Sequence, residues 1–227
     1  SLINVMVSEY VLCNFLENEA GRHGGSLLVQ DSDNSEIYKC RFFRNTGVKG
    51  GGVYFYYCTK ILCHESDYIK NNVSIDAGAI YMKFVNVSVN KRCNYVRNSA
   101  LDDAGAIFAY IVLQIFNIGS IFLQNKAKEN GGAIYVDVSI SCHNVRSYFI
   151  KNSAVEDGGM FYGATIYNIY NIKSLFEENT AASIGGDGIS YSERFSGGVF
   201  YIAIKNPFTN IYNIKSLYTQ NFASKHG

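Results

Sequence analysis

Asparagine closes a [Cys/Ser]-x-[Phe/Tyr]-x-x-Asn segment eight times along the chain, at Asn18, Asn45, Asn71, Asn98, Asn125, Asn152, Asn179 and Asn221. The intervals are 27, 26, 27, 27, 27, 27 and then 42 residues. Seven residues after each of the first six asparagines stands a glycine: Gly25, Gly52, Gly78, Gly105, Gly132 and Gly159. In the last unit Gly198 takes that place. Self-similarity at a fixed period of 20–50 residues marks a chain built from stacked supersecondary units, and it must be read before any single residue. The spacing leaves no room for a domain boundary, so residues 1–227 are expected to form one repeat domain.

Within a unit the hydrophobic period is two. After Gly132, Ile134, Val136 and Val138 alternate with polar or aromatic residues; after Gly78 the same face carries Ile80, Met82 and Phe84. Alternation over six residues argues for strands. In the second segment, Asn171-Ile172-Lys173-Ser174-Leu175-Phe176, the inward face is expected to hold Ile172, Ser174 and Phe176. A third short piece runs along an alanine column (Ala20, Ala100, Ala127, Ala154, Ala181, Ala223). Two or three strands in 27 residues make one coil of a parallel β-solenoid. Stacking at about 4.7–4.9 Å sets each residue against its own copy. Asparagine suits such a column, because its amide donates and accepts along the axis. Glycine suits corners where the backbone turns sharply or approaches another segment closely. The expectation is an all-β, right-handed parallel β-helix of about eight coils, the hand following the crossover rule.

The 42-residue interval contains an insertion at about residues 183–194, since the apolar run expected after Gly185-Gly186 appears instead as Val199-Phe200-Tyr201-Ile202. Inserted loops in repeat proteins tend to share one face. The chain opens inside the pattern, without an initiator Met or a basic leader, and is read as a segment of a longer protein. With 20 basic against 19 acidic residues, nothing points electrostatically to nucleic acid as a partner. No apolar run approaches the roughly 18–20 residues of a membrane-spanning helix.

Gly131-Gly132-Ala133-Ile134, together with Phe122 and Asn125 and with Phe149 and Asn152, resembles the repeat signature of the chlamydial polymorphic outer membrane proteins; similar repeats occur in protist surface proteins. Other coils drift, as in Ala77-Gly78-Ala79-Ile80 and Gly158-Gly159-Met160-Phe161. The resemblance implies an extracellular or cell-surface passenger associated with adhesion, and it supplies no catalytic residues.

Asp76, Asp103 and Asp157, with Asn130 in the same column, are candidate calcium ligands, carboxylates being hard oxygen donors. The simpler role for Asp and Asn at that position is to cap turns. Phe55, Tyr81, Phe108, Tyr135, Tyr162 and Tyr201, each third after a glycine, are expected to form an exposed aromatic ladder, a possible interaction face for a glycan or protein partner. A basic column (Lys39, Arg92, Arg146, Lys173, Lys215) reads as a solvated face. Cys13, Cys40 and Cys93 alternate with serine in one column and are expected as buried free thiols; the alternatives are a Cys13–Cys40 disulfide between adjacent coils and a Cys58–Cys63 disulfide closing a small loop. Cys63-His64 and Cys142-His143 lie about 14 Å apart by coil count, too far to share a zinc ion. Asn72 and Asn86 begin glycosylation sequons. The expectation is a non-enzymatic module without cofactor, serving adhesion or scaffolding. The alternatives are a filament stacked through its ends and a polysaccharide-degrading β-helix, for which Asp102 and Asp103 are the carboxylates to test.

Overall fold

The computed structural model describes residues 7–181, 200–202 and 209–223. These form an all-β parallel solenoid of three sheets. The first sheet holds the long strands Val53–His64, Ile80–Lys91, Ile107–Ile118, Ile134–Val145 and Phe161–Ile172. The second holds three-residue strands such as Asn94–Val96 and Ile121–Leu123. The third is a ribbon of two-residue strands, Lys126–Ala127 among them. Every pairing is parallel and joins a residue to its copy one period on, as in Ile80↔Ile107 and Ile107↔Ile134. Six coils, from Leu27–Gln30 to Thr180–Ala181, pass through all three sheets without interruption. The coils at the two ends are partial among the described residues, so the expected eight resolve into six complete coils and two partial ones. The insertion at about 183–194, and Gly198, fall outside the described residues.

The corners explain the spacing. Between the first and second sheets the chain turns through a left-handed residue: Lys39, Arg92, Arg146, Lys173 and Lys215 have φ of 51–53°. Between the second and third sheets another left-handed column (Arg44, Lys70, Arg97, Gln124, Lys151) has φ of 53–56°. For a non-glycine residue this conformation costs about 1–2 kcal/mol. Hydrogen bonds of the next residue in each corner offset that cost. The N–H of Asn98 meets no backbone carbonyl and donates instead to Asn125 Oδ1 at 3.1 Å, and Asn125 N–H donates to Asn152 Oδ1 at 3.0 Å. The asparagine column thus repairs the backbone ladder where the corner interrupts it. Serine does the same one corner earlier: Ser120 N–H donates to Ser147 Oγ at 3.2 Å, and Cys93 N–H to Ser120 Oγ at 3.2 Å.

Inside the second sheet Phe42, Tyr68, Tyr95, Phe122, Phe149 and Phe176 stack with centroids 4.6–5.1 Å apart and planes within 11°. Each such pair contributes about 0.5–1.5 kcal/mol beyond its area burial. Opposite them stand the first sheet's inward residues, among them Ile80, Met82, Ile107, Ile134 and Val136, all almost fully buried.

Three expectations about facing are corrected. Phe84 lies at φ 57° in a mid-strand bend that resets the alternation, so Val85 rather than Phe84 enters the core. Val138, at the corresponding position two coils on, is likewise only half-buried. At the next corner Asn171, not Ile172, points inward, because Lys173 holds the left-handed turn. The short interval of 26 places the missing residue near Val48, so Gly51 stacks on Gly78. Gly52 therefore leaves the glycine column and takes the position of Ala79.

Candidate functional site

The expected ladder residues are joined coil to coil. Asn45, Asn71, Asn98, Asn125, Asn152 and Asn179 are fully buried. Asn125 Nδ2 donates to Asn152 Oδ1 at 3.0 Å and to the Tyr95 carbonyl at 2.9 Å. Asn18 and Asn221 close the column, with Asn18 Nδ2 on Asn45 Oδ1 at 2.8 Å and Asn179 Nδ2 on Asn221 Oδ1 at 3.0 Å. Gly25, Gly51, Gly78, Gly105 and Gly132 sit where a Cβ would collide with the backbone of the next coil. A second asparagine ladder escapes the sequence reading: Asn90, Asn117, Asn144, Asn171 and Asn213, linked Nδ2 to Oδ1 at 2.9–3.1 Å. Its signal is an asparagine three residues before the [Cys/Ser] position in five successive units.

The Asp column is a third device of the same kind. Asp103 Oδ1 accepts from the N–H and Nδ2 of Asn130 at 3.0 and 3.1 Å, and Asn130 Oδ1 accepts the Asp157 N–H at 3.2 Å. Asp76 binds Lys49 Nζ at 2.6 Å. Burial, with Asp76 and Asp102 nearby, pushes the Asp103 carboxyl up to about 7. Burial and Glu156 push Asp157 up to about 6. Asp76 is raised by burial against the pull of Lys49. The Asp76 and Asp103 carboxylates are bonded within the turns, Asp157 is held there by its N–H, and among the described residues no group of three or more His, Cys, Asp or Glu side chains is disposed to hold a metal ion.

The aromatic column differs from expectation in membership and exposure. Phe55 pairs with Met82 and is fully buried in the core; Tyr54 takes its place beside Tyr81. Tyr54, Tyr81, Phe108, Tyr135, Tyr162 and Tyr201 stack at 4.6–5.1 Å on the outside of the first sheet. The preceding turns cover Tyr81 and Phe108, 5% and 7% exposed, which pack with Ala77 and Ala104 in a second small core, whereas Tyr135, Tyr162 and Tyr201 are half-buried. Outward direction and exposure are separate properties here. Burial raises the Tyr81 and Tyr135 hydroxyls, with Asp76 beside the first and Asp103 beside the second.

A second aromatic group, exposed at Tyr57 and half-buried at Tyr56, Phe84 and Tyr110, lies two to three residues further along the strand, at the bend. Asp31, Tyr57, Phe84 and Ile111 form a left-handed column with φ of 52–57°. The Tyr57 and Phe84 rings stack at 4.8 Å and 13°, and Tyr57 is 51% exposed. Tyr56, Lys83 and Tyr110 stand in the adjoining column, with Lys83 Nζ 5.3–5.7 Å from the Tyr56, Phe84 and Tyr110 ring centres.

The thiols are free: Cys40, Cys58, Cys63, Cys93 and Cys142 are buried and Cys13 is half-buried. Burial pushes Cys63 and Cys142 up to about 12. His64 bonds Glu36 at 2.7 Å, and His143 stacks between Phe116 and Tyr170. Both sequon asparagines are exposed, and Asn72 Oδ1 accepts from Ser99 Oγ at 2.7 Å. No helix among the described residues is long and apolar enough to cross a membrane.

Neither the curated proteins nor the solved structures contain a match to the chain. One unit does match a known repeat, and it holds Phe122, Asn125 and Gly131-Gly132-Ala133-Ile134 together: residues 119–137 fit the family model of the Chlamydia polymorphic membrane protein repeat.

Proposed function

We propose that this chain is part of a non-enzymatic surface or secreted β-helix module that serves adhesion or structural scaffolding. The carrying observation is that the recurrent buried asparagines are bonded to their own copies in neighbouring coils. Groups committed in this way hold a rod together and leave recognition to the outward side chains. The match of residues 119–137 to a surface-protein repeat supports the same reading. The polysaccharide-degrading alternative needs two carboxylates flanking a bond. Asp103 has the raised pKa of an acid catalyst, but its Oδ1 is taken by Asn130.

Three measurements test the proposal. Antibody raised against the chain should label intact cells of the source; labelling only after permeabilisation overturns the surface placement. Beads coated with the chain should bind matrix proteins or cells saturably, in competition with soluble chain. Turnover of a polysaccharide panel, abolished by Asp102→Asn with Asp103→Asn, would overturn the non-enzymatic reading.

A further inference from the structure

We infer that the bend of the first sheet around Tyr57 is a binding site for a neutral glycan, in which a pyranose ring packs on Tyr57 and its hydroxyls bond the groups around it. The inference rests on the adhesive reading above and names the chemical class of its ligand.

Four observations meet at this point. The left-handed backbone at Tyr57 and Phe84 turns both rings out of the core; the chain returns inward at Cys58 and Val85, which are buried. Phe84 supports the Tyr57 ring from one side, yet half of Tyr57 stays open to solvent. In the preceding coil the column continues with Asp31, a side chain too short to extend the stack. The ring therefore ends the stack in a step, whereas the covered ladder through Tyr81 offers no such step. Polar side chains stand along the same bend. Asp31 Oδ2 accepts Gln30 Nε2 at 2.8 Å, Thr59 Oγ1 donates to Asp33 Oδ1 at 3.2 Å, and Tyr56 lies 4.3 Å from Tyr57 at 59°. Lys83 completes the rim behind Tyr56.

A sugar ring has one face of C–H groups, which packs on an aromatic ring, and an equatorial belt of hydroxyls that needs donors and acceptors together. The site has that division: one supported aromatic surface, carboxylate and carbonyl acceptors, and amide, hydroxyl and ammonium donors. Small-molecule sites commonly combine an apolar surface with a few convergent polar groups in this way. Asp31 and Asp33 against Lys83 and Lys60, whose backbone N–H donates to the Asp33 carbonyl, leave the bend without net charge, which favours an uncharged glycan over a sulfated or uronic one.

The test is titration of the chain with cellohexaose, chitohexaose, maltohexaose and a poly-N-acetyllactosamine hexaose, followed by saturation-transfer NMR and calorimetry. At least one is expected to bind, with saturation strongest on the ring C–H protons. Tyr57→Ala and Asp31→Asn should each weaken binding at least tenfold. Tyr57→Phe should retain it within threefold, and Tyr148→Ala, an exposed tyrosine on the second sheet, should leave it unchanged. Circular dichroism and melting temperature identify any variant that has lost its fold, and Tyr57→Phe with Asp31→Asn supplies the comparison if Tyr57→Ala has. Silence from all four glycans at millimolar concentration overturns the inference, as does equal binding by native chain and Asp31→Asn. If coated beads still adhere while the glycans stay silent, this inference falls and the adhesive reading stands.

Discussion

Replacing Asn125 by alanine should be among the most damaging single changes available to this fold, and the reason is positional. Asn125 Oδ1 accepts the Asn98 N–H at 3.1 Å and Asn98 Nδ2 at 3.0 Å, while its Nδ2 donates to Asn152 Oδ1 and the Tyr95 carbonyl. Alanine leaves the Asn98 N–H and the Tyr95 carbonyl without these partners in an interior that water does not reach, since Asn125 is 0% exposed. Each stranded group costs about 1–3 kcal/mol, so the variant should lose about 3–5 kcal/mol. Asn18→Ala removes a chemically identical residue, but Asn18 is exposed and water can replace its one side-chain donation to Asn45. The expected loss there is about 0.5–1 kcal/mol. Asn125→Asp should be no milder than alanine at pH 7, because the oxygen that replaces Nδ2 faces Asn152 Oδ1 and the Tyr95 carbonyl, and it should recover partly as the pH falls. Urea unfolding followed by circular dichroism measures all three, with the slopes compared so that a shift in midpoint reports stability. Equal losses at Asn18 and Asn125, or a loss below about 1 kcal/mol at Asn125, would refute the backbone-repair argument.

The Asp103 carboxyl titrates at about 7 in the folded chain, against about 3.9 when unfolded. Ionisation therefore favours the unfolded state, and the stability carried by this group falls as pH rises from about 4 to about 7 and is level above that. Asp103→Asn, which keeps an acceptor for Asn130, should flatten the melting temperature across that window; an unchanged slope would count against the assignment. Gly132→Ala places a Cβ against the Gly159 carbonyl and the Ser153 backbone and should cost on the order of 3 kcal/mol or more. Gly119→Asn, where φ is 60° and a Cβ meets only Arg92 Cγ at 3.7 Å, should stay within about 1 kcal/mol by thermal melting. A maleimide probe under native conditions should label Cys13 first and the other five thiols only on unfolding, read by mass spectrometry. Millimolar calcium or a chelator should leave the melting temperature unchanged, because Asp76 and Asp103 are already bonded to Lys49 and Asn130; a calcium-dependent rise would restore the ligand reading.

The fold is legible because stacking demands that each column tolerate its own copy, and Asn125, Phe122 and Gly132 announce that demand at a constant interval. What sequence reasoning misses has identifiable causes. Gly51 and Gly52 are adjacent, so counting from Asn45 selects the wrong one, and the slip carries Phe55 into a column it does not join. Strict alternation cannot foresee a left-handed residue such as Phe84 or Lys173, after which the inward face changes parity. The Tyr81 ladder reads as surface because its neighbours Ile80 and Met82 face inward. The turns that fold over it depend on backbone direction at Ala77 and Ala104, where φ is 63° and 60°. The Tyr57 site depends on the same hidden parity change and is out of reach of counting.

The direction of the hydrogen bonds carries a mechanical consequence. The bonds that join one coil to the next, backbone and side-chain alike, run along the rod, so tension applied end to end loads one coil boundary at a time. Such a rod should come apart by peeling, each uninterrupted coil releasing about 9 nm of chain at roughly 3.3–3.6 Å per residue. A sideways load is shared among the three sheets and the stacked rings between them. A surface protein built in this way would lengthen in small steps under a pull along its axis while keeping its girth.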